Sequence, residues 1–439
     1  MRRFKAFFWV FLFAFTVLAA FNVFAEDAVT KIDTGDTAWV LVCSALVMFM
    51  TPGLAFFYGG MVRKKNVLSI LMQCFIILCV VAIQWVLFGY SLSFAPGKGF
   101  WGGFSWFGLN KVGFAPYPDY SPTIPHQAFM IFQAMFAIIT PALIIGAFAE
   151  RMKFSAFLLF TVLWATFVYD PVCHWVWAIG GWLRNYGALD FAGGTVVHIN
   201  AGIAAIVTAL LIGRRKNLDS NTPAPHNLPF VVLGTAMLWF GWFGFNAGSS
   251  LSANGLAVNA FVVTNTAAAA AGLSWAILEW LRNGKPTMFG VASGAVAGLV
   301  AITPAAGFVS VIPAIIIGLL VSVFCFTAVS ILKPKFGYDD SLDAFGVHCV
   351  GGIWGAIATG LFASKAVNPV GADGLFFGNP KQLLVQLLAV AVTIAVSAAG
   401  TLIIYKVVDI LIGMRVGEKE ELIGLDLTQH RERAYTVLE

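Results

Sequence analysis

The chain has 439 residues, 59% of them hydrophobic and 11% charged, with a mean hydropathy of +0.86. A soluble domain carries about 25% charged residues, so the composition excludes one and indicates a polytopic membrane protein embedded in lipid. The net charge of +5 marks topology rather than an acidic partner, and nucleic acid is not expected.

The N-terminus, MRRFKAFFWVFLFAFTVLAAFNVFAEDA, has a basic start, an apolar run and a VFA stop before acidic residues. That is signal-peptide grammar, with cleavage expected after Ala25. The expected organisation is a signal peptide at 1–25, a membrane domain at 26–414 and a cytoplasmic tail at 415–439.

Apolar stretches of spanning length lie at roughly 37–61, 67–93, 127–149, 154–171, 191–212, 228–248, 255–281, 287–303, 307–331, 344–363 and 382–414. Pro, Gly and charge clusters separate them. With the mature N-terminus outside, sixteen Lys and Arg fall in inner segments and six in outer ones. The bias orients eleven spans N-out and C-in.

Two five-span halves plus a last helix make the second half inverted relative to the first, a common transporter plan. The pattern D-x7-H-x3-G-I occurs at Asp190–His198–Gly202–Ile203 and, 150 residues on, at Asp340–His348–Gly352–Ile353. Eight helical residues rise about 12 Å. Entering a core about 30 Å thick from opposite faces, His198 and His348 come within about 6 Å along the membrane normal. The expected fold is an all-α polytopic membrane protein of eleven transmembrane helices, an inverted five-plus-five repeat with an additional long last helix.

An ionisable side chain at bilayer depth is costly and marks function. Matched placement in two halves favours a paired role for His198 and His348 over two separate core histidines. Two cationic imidazoles side by side repel in low dielectric, so the pair stays net neutral. Such a pair offers a small polar solute both a donor and an acceptor. Asp190 and Asp340 sit at helix starts and read as structural caps. A second reading of Asp190, a fixed anion near the pore mouth, stands beside the first.

The stretches HWVWAIGGW (174–182) and WFGWFGFNAGSS (239–250) fit a cation-π site and an interfacial aromatic belt equally well. Runs such as NTAAAAAG and CVGGIWGAIATG allow close helix packing. The six cysteines lack metal spacing or a disulfide framework; five read as core residues and Cys173 as lying near an aqueous face. The chain has no TVGYG filter, no Asn-Pro-Ala pair, no Walker motif and no carboxylate expected mid-span. These absences weigh against a potassium channel, an aquaporin, an ATP-driven pump and carboxylate-coupled transport.

DFAGGTVVHINAG (190–202), GWFGFNAGS (241–249), FFYGG (56–60), GAFAERMKFSAF (146–157), PHNLP (225–229), DAFGVHCVGGIWG (343–355) and GLDLTQHRERAY (424–435) closely resemble the Amt branch of the ammonium transporter (Amt/MEP/Rh) family. The resemblance runs from about 35 to 435. It implies a non-enzymatic homotrimer in the inner (cytoplasmic) membrane that moves ammonium or ammonia without cofactor, metal or catalytic residue. By the same resemblance Trp177, Phe136 and Ser249 recruit the ion at an outer vestibule. Phe136 and Phe245 form a stacked gate, and His198, His348 and Trp242 line a hydrophobic pore. Two departures from the pattern are an extra residue between HWVW and Asp190, and Cys349 where a glycine is common. The tail resembles the segment that responds to the trimeric PII signal protein. An ammonium sensor signalling through its tail and an Rh-like gas channel are the competing functions. The short tail and the Trp-rich vestibule favour transport.

Overall fold

The computed structural model describes residues 31–216 and 225–435, so the expected signal peptide at 1–25 lies outside the described residues. Among the described residues, ten helices are long and apolar enough to cross a membrane, and an eleventh is apolar but shorter. In chain order they are α1 (Thr34–Met61), α2 (Lys64–Phe94), α3 (His126–Phe148), α4 (Phe154–Tyr186), α5 (Gly194–Ile212), α6 (Leu228–Gly248), α7 (Gly255–Asn283), the 15-residue α8 (Met288–Ile302), α9 (Val311–Phe336), α10 (Phe345–Phe362) and α11 (Pro380–Ile412). The fold is helical and polytopic. Between α2 and α3 lie two small antiparallel hairpins, β1 (Gly97–Lys98) with β2 (Trp101–Gly102), and β3 (Pro116–Tyr117) with β4 (Ser121–Pro125). They mark one end of the bundle. The tail, with α12 (Glu418–Ile423) and α13 (Leu425–His430), marks the other.

Helix starts follow their sequences. Asp33, Asn227, Asn254 and Thr287 each accept a hydrogen bond from a first-turn backbone N–H, which satisfies a donor the helix itself leaves open. The small residues of FFYGG and GWFGFNAG pack α1 onto α6. A Cβ at Gly241 would meet Met50 Cγ at 2.3 Å, and one at Gly248 would meet Cys43 Cβ at 2.6 Å. Any side chain at these positions would push the two backbones apart.

Four expectations are corrected. The stretch at 307–331 does not begin as helix: residues 303–309 form a buried turn, and α9 starts at Val311. The helix from Phe154 runs past 171 to Trp177, and after a break at 178–181 the α4 span closes with Trp182–Tyr186. It passes 171 because Pro171 sits in the first turn of a renewed α segment, where its missing N–H costs little. Asp170 is thereby carried inside a span with 0% exposure, so a buried carboxylate does exist there. It accepts from Gln84 Nε2 at 2.8 Å and Ser93 Oγ at 3.3 Å. Cys173 is buried, and Cys79 is the exposed cysteine among the described residues.

Charges gather at the tail end. Arg215 pairs with Asp339 at 2.9 Å and with Glu150 at 3.5 Å, and Glu150 pairs with Arg63 at 2.5 Å. Arg151, fully buried, donates to Ala147 O, Asp339 O and Ser341 Oγ. The tail joins this network. Glu421 accepts from Arg415 and from Lys216 N, and Asp426 accepts from Ser69 N at the start of α2. Burial lowers the Arg151 guanidinium to about 10 despite Asp339 beside it.

Burial alone would raise the Asp339 carboxyl, but Arg151 and Arg215 outweigh it and hold it at about 2. The stabilisation from a depressed carboxyl is complete above its unfolded pKa of about 4 and is lost as pH falls toward the folded value. A shift of this size corresponds to about 2 kcal/mol. Asp340 acts oppositely. Burial pushes it up to about 6, so its contribution is complete below about pH 4 and is lost as pH rises through 6. In an acid titration of solubilised protein, Asp339→Asn should be less stable at neutral pH and should lose less stability between pH 4 and 2 than wild type. Identical titrations would mean that the pairing adds nothing.

Candidate functional site

At the hairpin end a cavity of about 180 Å³ opens between α2, α3, α4 and α6. Its walls include Gln133, Phe136, Trp177, Arg184 and Ser249. Trp177 stands edge-on to Phe136 with centroids 5.6 Å apart at 88°. Its indole N–H donates to the backbone oxygen of Asp190 at 2.8 Å, so the ring rather than the donor faces the cavity wall. Ser249 Oγ donates to Phe245 O at 2.9 Å, which leaves its lone pairs free to accept.

Phe136 and Phe245 close the floor. Their centroids are 4.3 Å apart with planes tilted by 40° rather than stacked parallel, and each is 1% exposed. Below them lies a space of about 10 Å³ lined by Leu54, Leu143, Trp242, Phe245 and both histidines. A second of about 10 Å³ follows, touching His348, Ser293 and Asp343. A space of this size holds about one water-sized molecule.

Between the Phe floor and the tail end the rings form a column. His198 lies 6.1 Å from Phe245 at 25°, 5.4 Å from Trp242 at 22° and 5.4 Å from His348 at 14°. The histidines are 1% and 4% exposed. Neither ring nitrogen of His198, nor Nδ1 of His348, has a hydrogen-bond partner among the described residues. Buried polar groups are nearly always paired, so three orphan nitrogens on two rings that both line the small space below the floor call for a ligand that can donate and accept.

Local winding places the column. Both histidines ride on a π-turn, Gly194–Ile199 and Phe345–Cys349, with His198 N bonding five residues back to Gly193 O at 3.0 Å. Such turns are often found at functional sites, although Trp85–Gly89, Ala165–Tyr169 and Ala328–Leu332 wind the same way outside the column. Asp190 holds the first start: its carboxylate accepts from the backbone N–H of Gly193, Gly194, Thr195 and Val196 and from the Thr195 hydroxyl. With five donors on two oxygens, it is saturated. One residue therefore anchors Trp177 through its carbonyl and the His198 helix through its carboxylate. Asp340 accepts from Ala344 N at 3.2 Å and Phe345 N at 2.8 Å.

The glycine of the repeated motif acquires a reason. A Cβ at Gly202 would lie 2.4 Å from Cys349 N, and one at Gly352 would lie 3.1 Å from His198 Cβ. Each glycine, one turn beyond its histidine, is where the opposite helix crosses. Sequence reasoning missed Thr303, whose Oγ1 accepts from Trp242 Nε1 at 2.8 Å, and Pro304, whose carbonyl accepts from Phe191 N at 3.2 Å. The available signal was a Thr-Pro pair inside an apolar run.

Comparison with known proteins identifies the family. A profile of the Ammonium Transporter Family matches residues 38–435. The chain is 57% identical over 401 residues to an ammonium transporter of Bacillus subtilis, covering 91% of this chain and 98% of that one. It is 48% identical to the ammonium transporter Amt1 of Archaeoglobus fulgidus, over 92% and 99% of the two chains. The crystal structure of Candida albicans Mep2 superposes with a TM-score of 0.86 at 39% identity, covering 94% of this chain and 93% of that one. A match over nearly the whole length, at this identity and with the same fold, makes the chain a multi-pass membrane protein that belongs to the ammonium transporter family.

Proposed function

We propose that the protein takes up ammonium across the inner membrane, recruiting NH4+ in the hairpin-end cavity and passing ammonia and its proton separately through the His198–His348 column. Trp177 and Phe136 offer π-faces to the cation, and Ser249 offers a hydroxyl acceptor. The Phe136–Phe245 floor excludes hydration water, so a cation that reaches it sheds its shell or its proton. Ammonia then occupies the water-sized spaces below, and the proton moves from His198 to His348. The observation that carries this reading is the pair of stacked, buried imidazoles with three unpartnered nitrogens between two such spaces.

The same reading sets eleven spans as an inverted five-plus-five repeat with α8 as the short one. It removes residues 1–25 as a signal peptide, places the mature N-terminus outside and leaves 415–439 as a cytoplasmic tail. Assembly as a homotrimer, and a PII-type protein at the tail, complete it.

Ammonium pulses on supported proteoliposome membranes test it. Wild type should give a transient current with ammonium and none with potassium. Phe245→Ala should widen the floor and raise, several-fold, the leak of larger cations and of cations that have no proton to give up. A wild type without ammonium current, or a Phe245→Ala variant matching wild type for every cation, overturns the reading.

A further inference from the structure

Helix α8 spans 15 residues, a rise of about 22 Å against a hydrocarbon core of about 30 Å. The chain then runs through residues 303–309 without helix, all of them buried. Irregular backbone at this depth persists only where protein covers it. Here it is clamped: Pro304 O accepts from Phe191 N at 3.2 Å, and the Pro304 ring fills the space that a Cβ on Gly194 would occupy, 2.5 Å away.

Thr303 opens this turn and is 0% exposed. Its hydroxyl donates to Leu299 O at 2.8 Å and accepts the indole N–H of Trp242 at 2.8 Å. That N–H is the only donor on the Trp242 side chain. The indole lies nearly parallel to His198, whose two nitrogens are both unpartnered among the described residues.

We propose that Thr303 is a positioning residue of the conduction path: by holding the Trp242 N–H, it keeps the indole stacked on His198 and keeps that hydrogen off the imidazole. The inference rests on the reading that the histidine pair passes a proton. Passage requires each neutral imidazole to exchange which nitrogen bears hydrogen. A free indole donor beside an unpaired imidazole nitrogen in a dry site would bond to it and fix the tautomer, because a buried orphan donor is costly. Thr303 removes that competitor without touching the solute.

Full-length Thr303→Val, Thr303→Ser and the double variant Thr303→Val/Trp242→Phe in proteoliposomes test this. Valine keeps the shape and loses the acceptor, and serine keeps the acceptor. Phenylalanine at 242 removes the donor that valine sets free. Ammonium-evoked current in Thr303→Val should fall on the order of tenfold, with a changed pH profile. Thr303→Ser should stay near wild type, and the double variant should recover current relative to Thr303→Val. If the valine variant fails to fold, Thr303→Ala replaces it in both arms. Wild-type current and pH profile in Thr303→Val, or a double variant no better than the single, overturns the role of Thr303 alone. A wild type with no ammonium current overturns the proton-passing reading and this role with it.

Discussion

Aspartate in place of His198 or His348 should open the pore to bare cations, whereas alanine should reduce ammonium current without admitting potassium. A dry passage needs a polar element that neither traps a cation nor leaves ammonia without a partner. A carboxylate at either position would place a fixed negative charge among Trp242, Phe245, Leu54 and Leu143, where low dielectric strengthens its attraction for any monovalent ion. Potassium, otherwise excluded by desolvation, would gain a counter-charge. On the proposed reading, alanine removes both the ammonia partner and the proton carrier. An unmade hydrogen bond in such a place costs about 1–3 kcal/mol, which corresponds to roughly 5- to 150-fold in rate. The check is current in proteoliposomes with ammonium on one side and potassium on the other. Wild-type ammonium current and selectivity in His198→Ala/His348→Ala would show the pair to be structural.

Gly202→Ala should abolish transport and lower thermal stability well below wild type. The added Cβ would sit 2.4 Å from Cys349 N, 2.6 Å from Cys349 Cβ and 2.7 Å from Cys349 Cα. No rotamer relieves a clash with backbone, so α5 and α10 must separate. Overpacking of this kind costs typically about 1–3 kcal/mol or more, and the separation acts one turn from His198 and beside His348. The imidazoles, stacked at 5.4 Å, would be pulled apart as the two helices move. Gly255→Ala provides the control, because no atom of the described residues lies within 4 Å of its Cβ position. Thermal unfolding temperature and ammonium current should fall for Gly202→Ala and stay unchanged for Gly255→Ala. Equal behaviour of the two would show that the crossing tolerates extra volume.

Much of the fold is legible in one dimension because lipid imposes a simple rule. Spans must be apolar and long, so ten of the eleven stretches read from composition correspond to long helices. The D-x7-H-x3-G-I pattern marked His198 and His348 as matched, but the rise argument behind their expected depth is corrected: residues 190–193 and 340–343 are not helical, and α5 and α10 begin at Gly194 and Phe345, only four and three residues before the histidines. The roles proposed for Trp177, Phe136, Ser249, Phe245 and Trp242 came from family resemblance, since aromatics in an apolar sequence carry no periodic mark that separates a cation site from a packing ring.

The sequence by itself determined that this is a membrane protein, roughly where its helices lie, and that two histidines and two capping aspartates recur at matched positions. Those properties are local: hydropathy, rise and N-cap chemistry depend on residues a few positions apart. The tertiary structure alone decided the rest. Helix α8 stops at Ile302 and yields to a buried turn, because Pro304 and Thr303 find partners in Phe191 and Trp242, 113 and 61 positions away by the numbering of the chain. Asp170 lies buried because Gln84 and Ser93 of another helix satisfy it. The motif glycines are needed because two helices cross there. Each of these rests on contacts between segments distant in sequence, and only the closed bundle brings those segments together.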